Sequence, residues 1–242
     1  MKANFDQIFR MKIQGLGDEG GHDWHMSIWE KRLLLALVAL VLAAPIEPAS
    51  AADQKASVVL ETLTVKGRAP KTGYERDALF GKWADPERNG CDARNEVLAR
   101  DLKNEVLDTD RCTVLTGDFT DPYSGTSLTF VRGQGTSNLV PIDHVVAVSD
   151  AWQKGAFKWD ATKRVNFYND PLNLQATLLK LNSQKGDGDA ATWLPPLKSY
   201  RCAYVARQIA VKAKYAIWVT KAEKAAMSNI LAKCPGQLLP KG

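Results

Sequence analysis

Residues 142–146 read IDHVV, and from residue 171 the chain reads PLNLQATLLKLNSQKGD, ending at Asp187. Ile142, Val145 and Val146 predict a short buried strand with a carboxylate and an imidazole side by side at its end. Neighbours on a strand point to opposite faces, so Asp143 and His144 can serve one site only at a strand end or a bend. Leu174–Leu179 predicts a second strand, preceded by Asn173, and Leu181–Lys185 opens a short helix that carries Asn182.

Working outward, Arg94 to Lys103 predicts a helix. Strand-like runs at Cys112–Leu115, Ser127–Val131 and Leu139–Asp143 are separated by turn-rich DPYSGT and RGQGTSN. Helical stretches follow at Ala147–Lys154 and Thr162–Tyr168, the second with Asp160 as N-cap. A further helical turn at Asp189 or Ala190 stops at Pro195-Pro196. Tyr200–Val219 and Lys221–Lys233 predict an antiparallel helical hairpin. The fold class is therefore α+β.

The hairpin bears on the four cysteines, Cys91, Cys112, Cys202 and Cys234, for which three pairings exist. The break near Val219-Thr220 lies 17 to 18 residues after Cys202 and 14 to 15 before Cys234. Arms of similar length bring these two to one level. That selects Cys202-Cys234 and, by elimination, Cys91-Cys112. A metal site is the alternative, disfavoured by the lack of any C-x-x-C pair.

Export would place these cysteines in an oxidising compartment, where an even number usually forms disulfides. From Met26 the chain reads MSIWEKRLLLALVALVLAAPIEPASA: a charged start, an apolar run from Leu33 to Ala44, then small residues at Ala49 and Ala51. This is the layout of a signal peptide over 26–51 with cleavage after Ala51, a core helix and an uncleaved anchor being the competing readings. Residues 1–25 are then an upstream extension, and 52–73 a polar, flexible leader. The whole chain has 32 Lys and Arg against 27 Asp and Glu; residues 52–242 keep 27 against 21, and His144 as their one histidine. Composition excludes disorder, collagen and a coiled coil, and the basic excess permits a polyanionic partner.

Asp85, Glu87, Asn89, Gly90 and Glu96 match an EF-hand loop except for Glu at its third position. The alternatives are a structural Ca²⁺ and a polar turn before the helix at Arg94.

The order of DH, then NL, then NxxKGD resembles the HNH endonuclease family, whose ββα-metal motif is two strands and a helix around one divalent ion. The runs CDARNEVLARD (91–101), DHVVAVSDAW (143–152), LNSQKGD (181–187), WLPP (193–196) and SYRC (199–202) resemble secreted HNH nucleases related to the C-terminal domain of GmrSD-type restriction enzymes. The resemblance implies one HNH domain over 74–236, a ββα-metal core with inserted helices and the disulfide-stapled hairpin. It implies His144 as general base, Asp143 and Asn182 as ligands of one Mg²⁺ or Mn²⁺, and Asn173 as a loop pin that orients His144 by a hydrogen bond. Lys185 becomes a phosphate contact, and Arg94 and Arg201 hold either phosphate or structural ion pairs.

The expected function is an exported, secreted or periplasmic, metal-dependent endonuclease acting on DNA in preference to RNA. Nothing resembles a sequence-reading module, so specificity is expected to be low. No membrane insertion is expected after signal cleavage, and no protein partner can be inferred. The alternative is a non-catalytic extracellular binding protein on the same scaffold, with or without Ca²⁺.

Overall fold

The computed structural model describes residues 54–240. The upstream extension, the signal segment and its cleavage site lie outside the described residues.

The chain enters with α1 (Ala56–Thr62), whose Ala56, Val59 and Leu60 are buried. Residues expected as a flexible leader are therefore built into the fold: Val65 bridges Val219, and the Ala69 N–H donates to the Gln153 carbonyl at 2.8 Å. Polar composition hid this, because only every third or fourth residue of so short a helix needs to be apolar. Next come α2 (Arg76–Phe80) and α3 (Ala93–Asp101), the latter N-capped by Asp92, which accepts from the Asn95 N–H at 2.8 Å.

The predicted helix stops at Asp101 rather than Lys103, and β1 (Leu102–Leu107) replaces it. β1 pairs antiparallel with β2 (Val114–Thr120), which pairs with β3 (Ser127–Val131). Leu102 sits against Gly117, where a Cβ would lie 2.7 Å from its side chain, so that glycine permits the close crossing.

β4 (Ile142–His144) leads to α4 (Val148–Gln153) and α5 (Ala161–Asn169). Asp160 caps α5 as expected, accepting from the Lys163 N–H at 2.7 Å. β5 (Leu174–Ala176) then returns antiparallel to β4, with Asp143 opposite Gln175 and His144 opposite Leu174. α6 (Leu179–Lys185) follows at once. Its first turn lacks a local cap; the buried Asp121 carboxylate accepts from the Leu178 N–H at 3.1 Å and the Thr177 hydroxyl at 2.7 Å.

α7 (Arg201–Tyr215) and α8 (Lys221–Leu231) form the C-terminal hairpin, α8 opened by a capping box between Thr220 and Glu223. The cysteines pair as Cys91-Cys112 and Cys202-Cys234, with Cα separations of 5.1 and 6.5 Å. Buried residues of α1, α7 and α8 form one apolar cluster, those of α2, α4 and α5 with the end of α7 a second, and the β1–β3 sheet with α3 and β4–β5 a third. The chain is α+β, and among the described residues no helix is long and apolar enough to cross a membrane.

Candidate active site

The two faces of β4 hold the two polar residues in opposite surroundings. On one face the Asp143 carboxylate accepts from the Lys185 ammonium at 2.8 Å and from the Tyr123 hydroxyl at 2.6 Å. Lys185 also donates to the His144 carbonyl at 2.7 Å, and its side chain is 0 % exposed. A buried charge is tolerated only when paired and hydrogen-bonded, and here both conditions hold. Burial, then the Asp143 charge, pushes the Tyr123 phenol well above its usual range.

On the other face the His144 imidazole is 3 % exposed and enclosed by aromatic rings. Trp83 stacks on it with ring centroids 5.8 Å apart, and Tyr168 lies 4.4 Å away. His144 Nε2 is 2.8 Å from the Tyr168 carbonyl. A carbonyl can only accept, so Nε2 carries the proton and Nδ1 keeps its lone pair. Burial, the Arg76 charge and the Lys185 charge together lower the imidazole to about 3.

Asn173 is fully buried and brackets the backbone that follows His144. Its carboxamide accepts from the Val146 N–H at 2.8 Å and donates to the Val146 carbonyl at 3.3 Å, while its own carbonyl accepts from the Val145 N–H. The side chain touches the loop rather than the imidazole, which takes its bond from Tyr168 instead. The turn that carries Asn173 is itself clasped: Arg207 donates to the carbonyls of Pro171, Leu172 and Leu174, and Arg100 to those of Pro171 and Leu174.

Asn182 lies on a groove of about 250 Å³ between the 147–149 loop, α6 and the 74–76 segment. Arg76 lines the same groove, lies 5.4 Å over the Tyr168 ring and donates to its hydroxyl at 3.4 Å.

These contacts give several of the expected site residues other partners. An ion shared by Asp143 and Asn182 does not fit this arrangement, because Asn182 lines the groove whereas Asp143 does not and is ion-paired with the buried Lys185 ammonium. Among the described residues no group of three or more His, Cys, Asp and Glu side chains is placed to hold a metal. Lys185, expected at phosphate, is spent inside the core. Arg94 donates to the Ser137 and Val140 carbonyls, and Arg201 to the Pro195 carbonyl at 2.7 Å; neither lines the groove. In the loop considered for Ca²⁺, Asp85 accepts from the N–H groups of Asn89 and Gly90, and Asn89 donates to Glu96 at 2.6 Å. These bonds close a polar turn ahead of α3, and Glu87 stays exposed.

A buried ionic cluster went unread in the sequence. Lys154 contacts Asp150, Asp189 and Glu223 at 2.7–2.8 Å, and Lys212 contacts Asp150 and Glu223 at 3.1 and 3.0 Å. Arg68 reaches Asp150 and Asp189 at 2.9 and 2.8 Å. Burial alone raises Asp189, but the Lys154 bond and the Arg68 charge bring it down to about 2. Its members come from residues 68 to 223, so no local pattern announces it. Trp83, Tyr123, Tyr168 and Arg76 were missed for the same reason.

The profile of a family described as the C-terminal domain of GmrSD restriction endonucleases matches residues 92–230. An uncharacterized secreted protein of Arthroderma benhamiae is 36% identical over 206 residues, covering 84% of this chain and 97% of that protein. No solved structure matches the chain.

Proposed function

Because the chain belongs to the GmrSD restriction endonuclease C-terminal domain family, a nuclease-type family with a secreted relative, we propose that it is an exported endonuclease hydrolysing DNA phosphodiester bonds, with His144 as its base and the groove lined by Arg76 and Asn182 as the substrate's seat. The observation that carries this reading is the state of His144. Its Nε2–H is committed to the Tyr168 carbonyl, and its Nδ1 lone pair is kept unprotonated throughout the neutral range. An imidazole fixed in this tautomer offers Nδ1 to take a proton from an attacking water, and any group that raises it from about 3 towards neutrality makes it a stronger base. Asn173 keeps the 145–146 backbone in place, so the strand end that bears His144 cannot swing away.

Two features shape the reaction. Burial is the main cause that holds the imidazole down and the Arg76 charge the next, so a phosphate in the groove offsets the second of these and strengthens the base in part. Trp83 covers His144, so substrate entry requires that segment to move aside. No step is assigned to a divalent ion, because Asp143 is paired with Lys185 inside the fold and does not line the groove that holds Asn182. The β4, β5 and α6 trio has the strand, strand, helix order of a ββα nuclease core, and the proposal takes it as one.

The test is relaxation and linearisation of supercoiled plasmid, with Mg²⁺, with Mn²⁺ and with EDTA, alongside single-stranded RNA. His144→Ala is expected to lower turnover about 10²–10⁴-fold, the usual worth of a general base. Undiminished cutting by that variant sinks the proposal. The second reading, a binding protein without chemistry, draws on the near-complete burial of His144; it predicts no cutting by wild type and unchanged DNA binding by His144→Ala.

A further inference from the structure

Most cations around β4 and α6 already have partners, and Lys180 on α6, which has none among the described residues, does not line the groove. Arg68 is paired with Asp150 and Asp189, Lys71 with Asp187 at 2.6 Å, Lys185 with Asp143, and Lys154 and Lys212 with the buried acids. Arg94, Arg201 and Arg207 spend their N–H groups on main-chain carbonyls. Arg76 has neither kind of partner among the described residues: no carboxylate pairs with it, and its one hydrogen bond is the 3.4 Å contact to a neutral phenol. It is exposed, it lines the groove that Asn182 and Ser149 share, and it packs on the ring of the residue whose carbonyl holds His144.

We propose that Arg76 is the phosphate-binding residue of this groove, holding two oxygens of a DNA phosphodiester beside His144. The guanidinium fork matches two phosphate oxygens at once, and charge-assisted bonds of this kind are the strongest a surface side chain offers. The competing anion is already satisfied, since Asp187 across the groove is taken by Lys71 and by the Ser149 hydroxyl at 3.2 Å. Arg76 lies ahead of residues 92–230, so the segment before the matched domain supplies part of the site. The proposal rests on the nuclease reading of the groove and names its phosphate contact.

The test compares Arg76→Gln and Arg76→Lys for cleavage, and repeats both in a His144→Ala background for duplex binding at several salt concentrations. Arg76→Gln is expected to lower kcat/KM about 10²–10³-fold, the cost of losing one group that stabilises developing charge, with Arg76→Lys recovering part of it. The slope of log Kd against log salt should fall by about 1 for Arg76→Gln, the signature of one lost phosphate contact, which a merely structural role does not produce. Cleavage within about twofold of wild type together with an unchanged slope overturns the proposal and leaves the nuclease reading standing. DNA binding through Arg76 without any cutting by wild type keeps the phosphate site and overturns the nuclease reading instead. Absence of DNA binding by wild type overturns both. Should Arg76→Gln fold poorly, Arg76→Lys decides, because it keeps the charge and loses the fork: a tenfold loss supports the proposal, and wild-type turnover ends it.

Discussion

The buried ionic cluster and the region of His144 and the Arg76 groove both hold charged groups, and they use them in opposite ways. In the cluster Arg68, Lys154 and Lys212 face Asp150, Asp189 and Glu223, so three positive groups meet three negative ones, the two lysines fully buried and Arg68 at the edge with 31 % of its side chain exposed. Around His144 the balance is left open: the imidazole is neutral, aromatic rings shield it, and Arg76 stands at the groove without a counter-charge. Saturated charge of this kind locks elements together, here α4, α7, α8 and the 68–71 segment, whereas an unmatched guanidinium retains its attraction for a ligand.

The comparison is broken most severely by Glu223→Gln. Its carboxylate serves both buried lysines and the α8 capping box, so the variant leaves positive charge unpaired in the core. A loss of about 3–5 kcal/mol in urea unfolding is expected. Asn173→Ala should cost about 1–3 kcal/mol, because the Val146 N–H and carbonyl lose their buried partners, and cutting should fall with it.

Acid sharpens the contrast next. His144 is held near 3 in the folded chain, against about 6.5 when unfolded, so between these values the unfolded chain binds the extra proton. Stability therefore falls as pH drops below about 6.5, by up to about 1.4 kcal/mol per unit. Asp189, held to about 2, adds a loss in the same direction as pH falls through the lower carboxylate range. Melts of His144→Gln should lack the part of this slope above pH 5, and an unchanged slope refutes the assignment. The smallest effect is Arg76→Gln on stability, expected within about 0.5 kcal/mol because the side chain is exposed and unpaired.

Much of the frame was legible beforehand. Apolar runs and turn residues predicted strands over Leu139–Asp143 and Leu174–Leu179 and a helix over Leu181–Lys185, which fold as the shorter β4 and β5 and the longer α6; Asp160 marked α5, and the similar arms of the hairpin the Cys202-Cys234 pairing. β1 was misread because residues 94–103 are rich in helix formers, and only the ladder to β2 overrides that preference. The leader was misread because polarity says little about a short amphipathic helix whose partner lies at the far end of the chain.

For the site, the sequence by itself put Asp143 and His144 on one short strand, Asn173 ahead of the next and Asn182 and Lys185 on the helix that follows. Tertiary structure alone decided what each of them does. The alternation of β4 sends Asp143 to Lys185 and Tyr123 and His144 to Trp83 and Tyr168, and those partners come from positions 20 to 61 residues away in the chain. Spacing along a chain can place a side chain on a strand or a helix, but whether its charge is met, shielded or left open depends on groups that only folding brings within a few ångströms.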